Sequence, residues 1–103
     1  MIIPTDGIVT FLFTDIESST RLWEQQPVAM ATALSNHDRL LQELITEYGG
    51  QVFKTAGDAF FAAFAIPSEA ISAALAIQRA ILGENWGETV IKIRIIVHSG
   101  TAE

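Results

Sequence analysis

The sequence predicts an α+β fold: a ferredoxin-like β-α-β-β-α-β sandwich, with a four-stranded, mostly antiparallel sheet carrying its helices on one face. Three observations predict it. Four short segments rich in β-branched and aromatic residues are interleaved with segments whose apolar residues recur at helical spacing. The two middle strand-like segments are joined by only Ala56-Gly57-Asp58, a link of hairpin length. The other links each contain helix, and short right-handed crossovers then leave few alternative topologies.

Taken in order, Ile8 to Thr14 reads as a central strand covered on both sides, because neither of its faces carries much polarity. Ile16 to Thr20 is a polar turn, and Ser18 or Ser19 can cap a short helix through Trp23. Pro27 suits the first turn of a second helix, with Met30, Leu34, Leu41, Leu44 and Ile45 at helical spacing. Gly49-Gly50 supplies its left-handed stop. Strands follow over 51–55 and 59–65. Pro67-Ser68-Glu69 opens an Ala-rich helix to about Leu82, with Ala70, Ala73, Ala74, Ile77 and Ile81 on its buried stripe. After a loop from Gly83 to Gly87, Val90 to His98 forms the last strand. It has Lys92 and Arg94 on one face and Ile91, Ile93, Ile95 and Val97 on the other.

At 103 residues the chain has the size of one domain, 1–103, with enough length for a core. Half of it is apolar and 17% is charged, which is a globular composition. A net charge of −6 argues against a nucleic-acid surface, which needs a basic stripe. It leaves a nucleotide substrate open, because a bound divalent ion reverses the local sign. Without cysteine there is neither a disulfide nor a thiolate metal site. The N-terminus lacks a signal-peptide pattern and no run approaches a membrane span, so a cytoplasmic location is expected.

Two aspartates carry the chemistry. Asp15 closes the first strand and Asp58 sits in the hairpin that begins the third. In the predicted topology these strands are antiparallel neighbours, so two carboxylates distant in sequence meet at one sheet edge. Paired carboxylates are how proteins hold Mg²⁺ or Mn²⁺ against a triphosphate. The plainer alternative makes Asp15 a helix cap and Asp58 a turn residue. His98 is read as a packing or turn residue at a strand end, His37 as exposed on a helix, and Trp23 and Trp86 as core or rim aromatics. No Ser–His–Asp triad, Walker-type glycine loop or zinc spacing is present in the sequence.

The segments Val9-Thr10-Phe11-Leu12-Phe13-Thr14-Asp15-Ile16-Glu17-Ser18-Ser19-Thr20, Phe53-Lys54-Thr55-Ala56-Gly57-Asp58-Ala59-Phe60 and Ile93-Arg94-Ile95-Ile96-Val97-His98-Ser99-Gly100 resemble, in order and spacing, the catalytic domain of the class III nucleotidyl (adenylyl and guanylyl) cyclases. The resemblance runs from about residue 8 to the end. It implies conversion of ATP, or less readily GTP, to a 3′,5′-cyclic nucleotide and pyrophosphate in signal transduction. The ribose 3′-oxygen attacks the α-phosphorus, with two Mg²⁺ or Mn²⁺ ions lowering the 3′-hydroxyl pKa and neutralising the triphosphate.

By the same resemblance Asp15 and Asp58 are the catalytic metal ligands, with the Ile16 carbonyl as a backbone ligand. The turn Glu17, Ser18, Ser19 and Thr20 faces the β- and γ-phosphates, although many relatives have a glycine where this chain has Ser18-Ser19. Lys54 falls where the family reads the purine edge. Lysine donates to adenine N1, whereas guanine N1–H needs an acceptor, so Lys54 favours ATP. Because the family's site lies between two subunits, a homodimer or an association with another cyclase domain is implied, with Lys54 serving the partner's metal pair. The family's domains continue past the last turn, carrying a second base-selecting residue, a ribose-positioning Asn and a transition-state Arg. The chain ends at Glu103, so on its own it is expected to be inactive or weak. A non-catalytic nucleotide-binding or dimerisation module is the alternative. A diguanylate-cyclase-like enzyme is a more distant one, because that family's acidic hairpin is missing.

Overall fold

The computed structural model describes residues 7–101. Its elements run β1 (Ile8–Ile16), α1 (Ser19–Gln25), α2 (Pro27–Glu47), β2 (Gln51–Ala56), β3 (Ala59–Phe64), α3 (Pro67–Gly83) and β4 (Ile93–Thr101). The strands form one sheet in the order β2-β3-β1-β4. All three pairings are antiparallel. This is the α+β, ferredoxin-like arrangement expected from the sequence, with β1 in the interior.

Period-2 alternation splits each strand between two unlike faces. Leu12 and Ile16 of β1 lie in register with Ala62 of β3 and Ile93 of β4. These four residues, with Phe60 and Phe64, are buried against Met30, Leu41 and Ile45 of α2 and Ala70, Ala73, Ile77 and Ile81 of α3. The small residues of the α3 stripe let that helix approach the sheet closely. Gly50 follows α2 where the chain packs closely on the core, and an added Cβ would lie 2.5 Å from Phe64 Cζ and 2.9 Å from Ile45 Cγ2.

Among the described residues the opposite face carries no helix. Phe11 and Phe13, expected under a second layer, are half-buried there and rely on neighbouring rings. Phe13 lies 4.9 Å from Phe61, and Phe11 lies 6.1 Å from Phe53, centroid to centroid. The apolar composition of β1 therefore reflects one helix-covered face and one aromatic open face.

Three further expectations are corrected. His37, placed by its polarity on an exposed helix face, is fully buried in the α2 stripe of Met30, Ala33, His37, Leu41 and Ile45. It stands edge-on to Phe60 at 5.8 Å, and its Nδ1–H donates to Asp38 Oδ1 at 2.9 Å. The last strand begins at Ile93 and runs to Thr101 because β1 offers a partner along that whole length, from Ile16↔Ile93 to Ile8↔Thr101. His98 accordingly sits within the strand, opposite Phe11, and not at its end. Ser18 takes the N-cap position of α1, but its side chain makes no capping bond and its backbone is left-handed, with φ 58°. Trp86 does pack on the core and donates Nε1–H to the Ile81 carbonyl at 2.9 Å, whereas Trp23 is exposed.

Candidate active site

The last residues of β1 bring the predicted groups together. Thr14 pairs with Phe60, which sets the β2–β3 turn beside the end of β1. Gly57 takes φ 58° in that turn, a left-handed geometry that glycine adopts without strain. Asp58 then reaches across, and its Oδ2 accepts a 2.6 Å hydrogen bond from the Ile16 backbone N–H. One carboxylate is thus fastened to the residue that follows the other.

Asp15 has a different anchor. It lies directly opposite Arg94 in the β1–β4 register, on the open face of the sheet. Arg94 Nε–H and Nη2–H donate to Asp15 Oδ1 and Oδ2 at 2.7 and 2.8 Å, a two-pronged fork that uses both carboxylate oxygens. The hydrogen bonds that Arg94 donates to Asp15, then the charge of Asp15, hold the Arg94 guanidinium above its already high ordinary pKa, with smaller contributions from Glu17 and Asp58. Arg94 is therefore the counter-ion of a local acidic group. Alternation in the sequence puts it with Lys92 on one face of the last strand and gives it no role. Only the β1–β4 register reveals its partner.

Glu17 and Ser18 lie just past β1, where Glu17 N–H donates to the Lys92 carbonyl at 2.8 Å. An open groove of about 490 Å³ adjoins them, lined by Glu17, Ser18, Arg21, Gln25, Glu88 and Lys92. Ser19 and Thr20 form the first turn of α1. Lys54 is elsewhere: on β2, an edge strand separated from β1 by β3. A register irregularity between Val52 and Lys54 interrupts the alternation of β2. As a result Phe53 packs on Phe11 and Phe61 while Lys54 Nζ also stands over the Phe61 ring, 5.3 Å from its centroid. Among the described residues no hydrogen bond or ion pair joins Lys54 to Asp15 or Asp58.

Asp15, Asp58 and the Ile16 carbonyl form a set of hard oxygen donors. Among the described residues no three His, Cys, Asp or Glu side chains gather into a metal cage. Two carboxylates without a third side-chain ligand suit Mg²⁺ or Mn²⁺, which keep waters and share substrate phosphates, and do not suit a closed zinc site.

The molecule is an antiparallel sheet with one carboxylate near the end of β1 and a second in the β2–β3 turn that bonds to the next residue, and the structural comparisons give its class. An adenylate cyclase of Trypanosoma brucei, solved in its monomeric state, superimposes with a TM-score of 0.87 at 29% identity, over 91% of this chain and 57% of that one. The guanylyl cyclase domain of a rhodopsin fusion from Blastocladiella emersonii, described as a non-canonical dimer, matches with a TM-score of 0.79 at 25% identity, over 93% and 58%. In sequence, an adenylate cyclase of Lachancea kluyveri is 39% identical over 97% of this chain and 6% of its own length. An uncharacterized protein of Mycobacterium bovis is 40% identical over 98% of this chain and 34% of its own. The chain thus spans about a third or less of these two sequence relatives and somewhat more than half of the two solved domains. The family model for the adenylate and guanylate cyclase catalytic domain matches residues 3–102, and the chain belongs to that family.

Proposed function

We propose that this chain works as a nucleotidyl cyclase catalytic domain, 1–103, that turns ATP in preference to GTP into the 3′,5′-cyclic nucleotide and pyrophosphate. The observation that carries the reading is the 2.6 Å bond from Ile16 N–H to Asp58, which sets the second carboxylate beside the first. Asp15, Asp58 and the Ile16 carbonyl would hold two Mg²⁺ or Mn²⁺ ions. When bound, such ions would acidify the ribose 3′-hydroxyl and offset the triphosphate charge. The chain's own task is positioning: a backbone N–H holds Asp58, and strand register sets where Asp15 stands. Glu17, Ser18, Ser19 and Thr20 would border the β- and γ-phosphates.

The position of Lys54 supports a site shared between two cyclase domains, as a homodimer or with another member of the family. It lies across β3 from Asp15 and projects from the open face, where its ammonium can donate to adenine N1 of a nucleotide held by a partner. No helix among the described residues is long and apolar enough to cross a membrane, which fits work in the cytoplasm.

The test is to incubate the protein with ATP or GTP and Mn²⁺ and quantify cyclic product, alone and mixed with an intact cyclase domain of a relative whose own metal carboxylates have been removed. Cyclic product formed in the mixture, and lost with Asp58→Asn, is the expected result; the purine preference is read separately, as tighter binding of ATP than of GTP by this chain, lost with Lys54→Glu. Metal-dependent ATP binding with no product in either setting would instead identify a non-catalytic nucleotide-binding or dimerisation module.

A further inference from the structure

We infer that Arg94 is a positioning residue that occupies Asp15 in place of the cation, so that metal entry requires the guanidinium to leave. The inference rests on the proposed metal pair. Both oxygens of Asp15 are engaged by one planar fork, at 2.7 and 2.8 Å. A divalent ion on the same carboxylate would sit within a few ångströms of a fixed positive charge, and the two cations repel. Asp58 is not blocked in this way. Its Oδ2 accepts a neutral backbone N–H, which can persist beside a metal bound through Oδ1.

The exposures suit an exchangeable partner. The Arg94 side chain is 61% exposed and that of Asp15 26%, so water can take over the guanidinium as it departs. Arg94 also feels Glu17 and Asp58, so a released guanidinium stays within the same acidic neighbourhood. In the metal-free protein the fork holds the Asp15 carboxylate in one orientation and screens it from Asp58. Arg94 thus serves as a built-in stand-in for the ion, and cation affinity is lowered by the strength of the fork.

The experiment is a Mn²⁺ titration of the full chain, read by the paramagnetic resonance of free Mn²⁺, on wild type, Arg94→Gln and Arg94→Lys. A parallel Mg²⁺ titration follows the ¹⁵Nε–¹H signal of Arg94. Arg94→Gln is expected to bind Mn²⁺ roughly two- to fivefold more tightly, the scale of a partly exposed ion pair. Arg94→Lys keeps the charge but not the fork, so it should fall between Gln and wild type. The Nε signal should move in step with Mg²⁺ saturation. A signal that stays fixed while Mg²⁺ binds, or a Gln variant no tighter than wild type, overturns the inference and leaves the metal pair standing. Absence of Mn²⁺ binding in all three proteins removes the metal pair, and the stand-in role with it.

Discussion

The two faces of this sheet are built from the same four strands and perform opposite tasks. On the helix side, Leu12, Ile16, Phe60, Ala62 and Phe64 are sealed under α2 and α3. On the open side, the same strands present Phe11, Phe13, Asp15, Phe61 and Arg94, all at least partly accessible. Strand alternation makes the separation possible, because successive residues of β1 alternate between core and open face. Hydrophobic burial holds the sheet from one side, which frees the other for charged groups that burial would penalise. The separation predicts that substitutions on one face are read mainly in stability and those on the other mainly in chemistry.

Phe64→Ala tests the first half with the largest expected effect. Its ring is fully buried and packs against Gly50, so truncation leaves a cavity and should cost about 3–5 kcal/mol in urea unfolding. Phe13→Ala, half-buried on the open face, should cost less than half as much. Equal losses would mean that the open face is covered in solution, and the contrast between faces would then fail.

Asp58→Asn tests the second half. The amide oxygen can still accept the Ile16 N–H, so the turn should persist and stability should change by less than about 0.5 kcal/mol. The charge needed for a divalent ion is lost. Cyclic nucleotide production in the mixed-domain assay should fall by roughly a hundredfold or more. A large drop in the unfolding midpoint would move Asp58 from chemistry to architecture.

Much of this contrast was legible in the sequence. The Ala70, Ala73, Ile77, Ile81 stripe of α3 and the Ile91, Ile93 alternation announced the core, because apolar periodicity is a local signal. The meeting of Asp58 with the end of β1 followed from topology, since a β-α-β-β-α-β chain sets its first and third strands side by side. What stayed hidden depends on register or on a single backbone angle. The Arg94 fork needs the β1–β4 pairing, which residue alternation alone does not supply. The irregularity before Lys54 has no local marker and puts Lys54 on the same side as Phe53, where strict alternation would not have placed it. His37 was hidden by its polarity, although Met30, Ala33, His37 and Leu41 follow helical spacing without a break.

His37 also offers a smaller test on the buried side. Its Nε2 and the Thr14 Oγ1 are buried without a hydrogen-bond partner, and both groups flank Phe60. An unsatisfied buried polar atom costs stability, whereas an apolar group of similar shape does not carry that cost. His37→Leu should therefore be neutral or stabilising by about 1 kcal/mol in urea unfolding. Asp38 can rehydrate because its side chain is 44% exposed. A loss of stability would show that the imidazole does more in the core than fill space.

The smallest expected effect lies where the two faces meet, at the turn between β1 and α1. Ser18 is the non-glycine residue with positive φ among those described, at 58°, and its hydroxyl makes no capping bond that would compensate. A left-handed conformation costs an L-residue roughly 1–2 kcal/mol, and glycine avoids that cost while losing more chain entropy on folding. The net expectation for Ser18→Gly is a gain of about 0.5–1 kcal/mol in unfolding free energy. That sign separates two roles for the serine. If stability rises while nucleotide affinity in the mixed-domain assay is unchanged, the turn needs only its backbone shape. If stability rises but affinity falls, the hydroxyl is used on the substrate side, and the strained geometry persists for chemistry and not for folding.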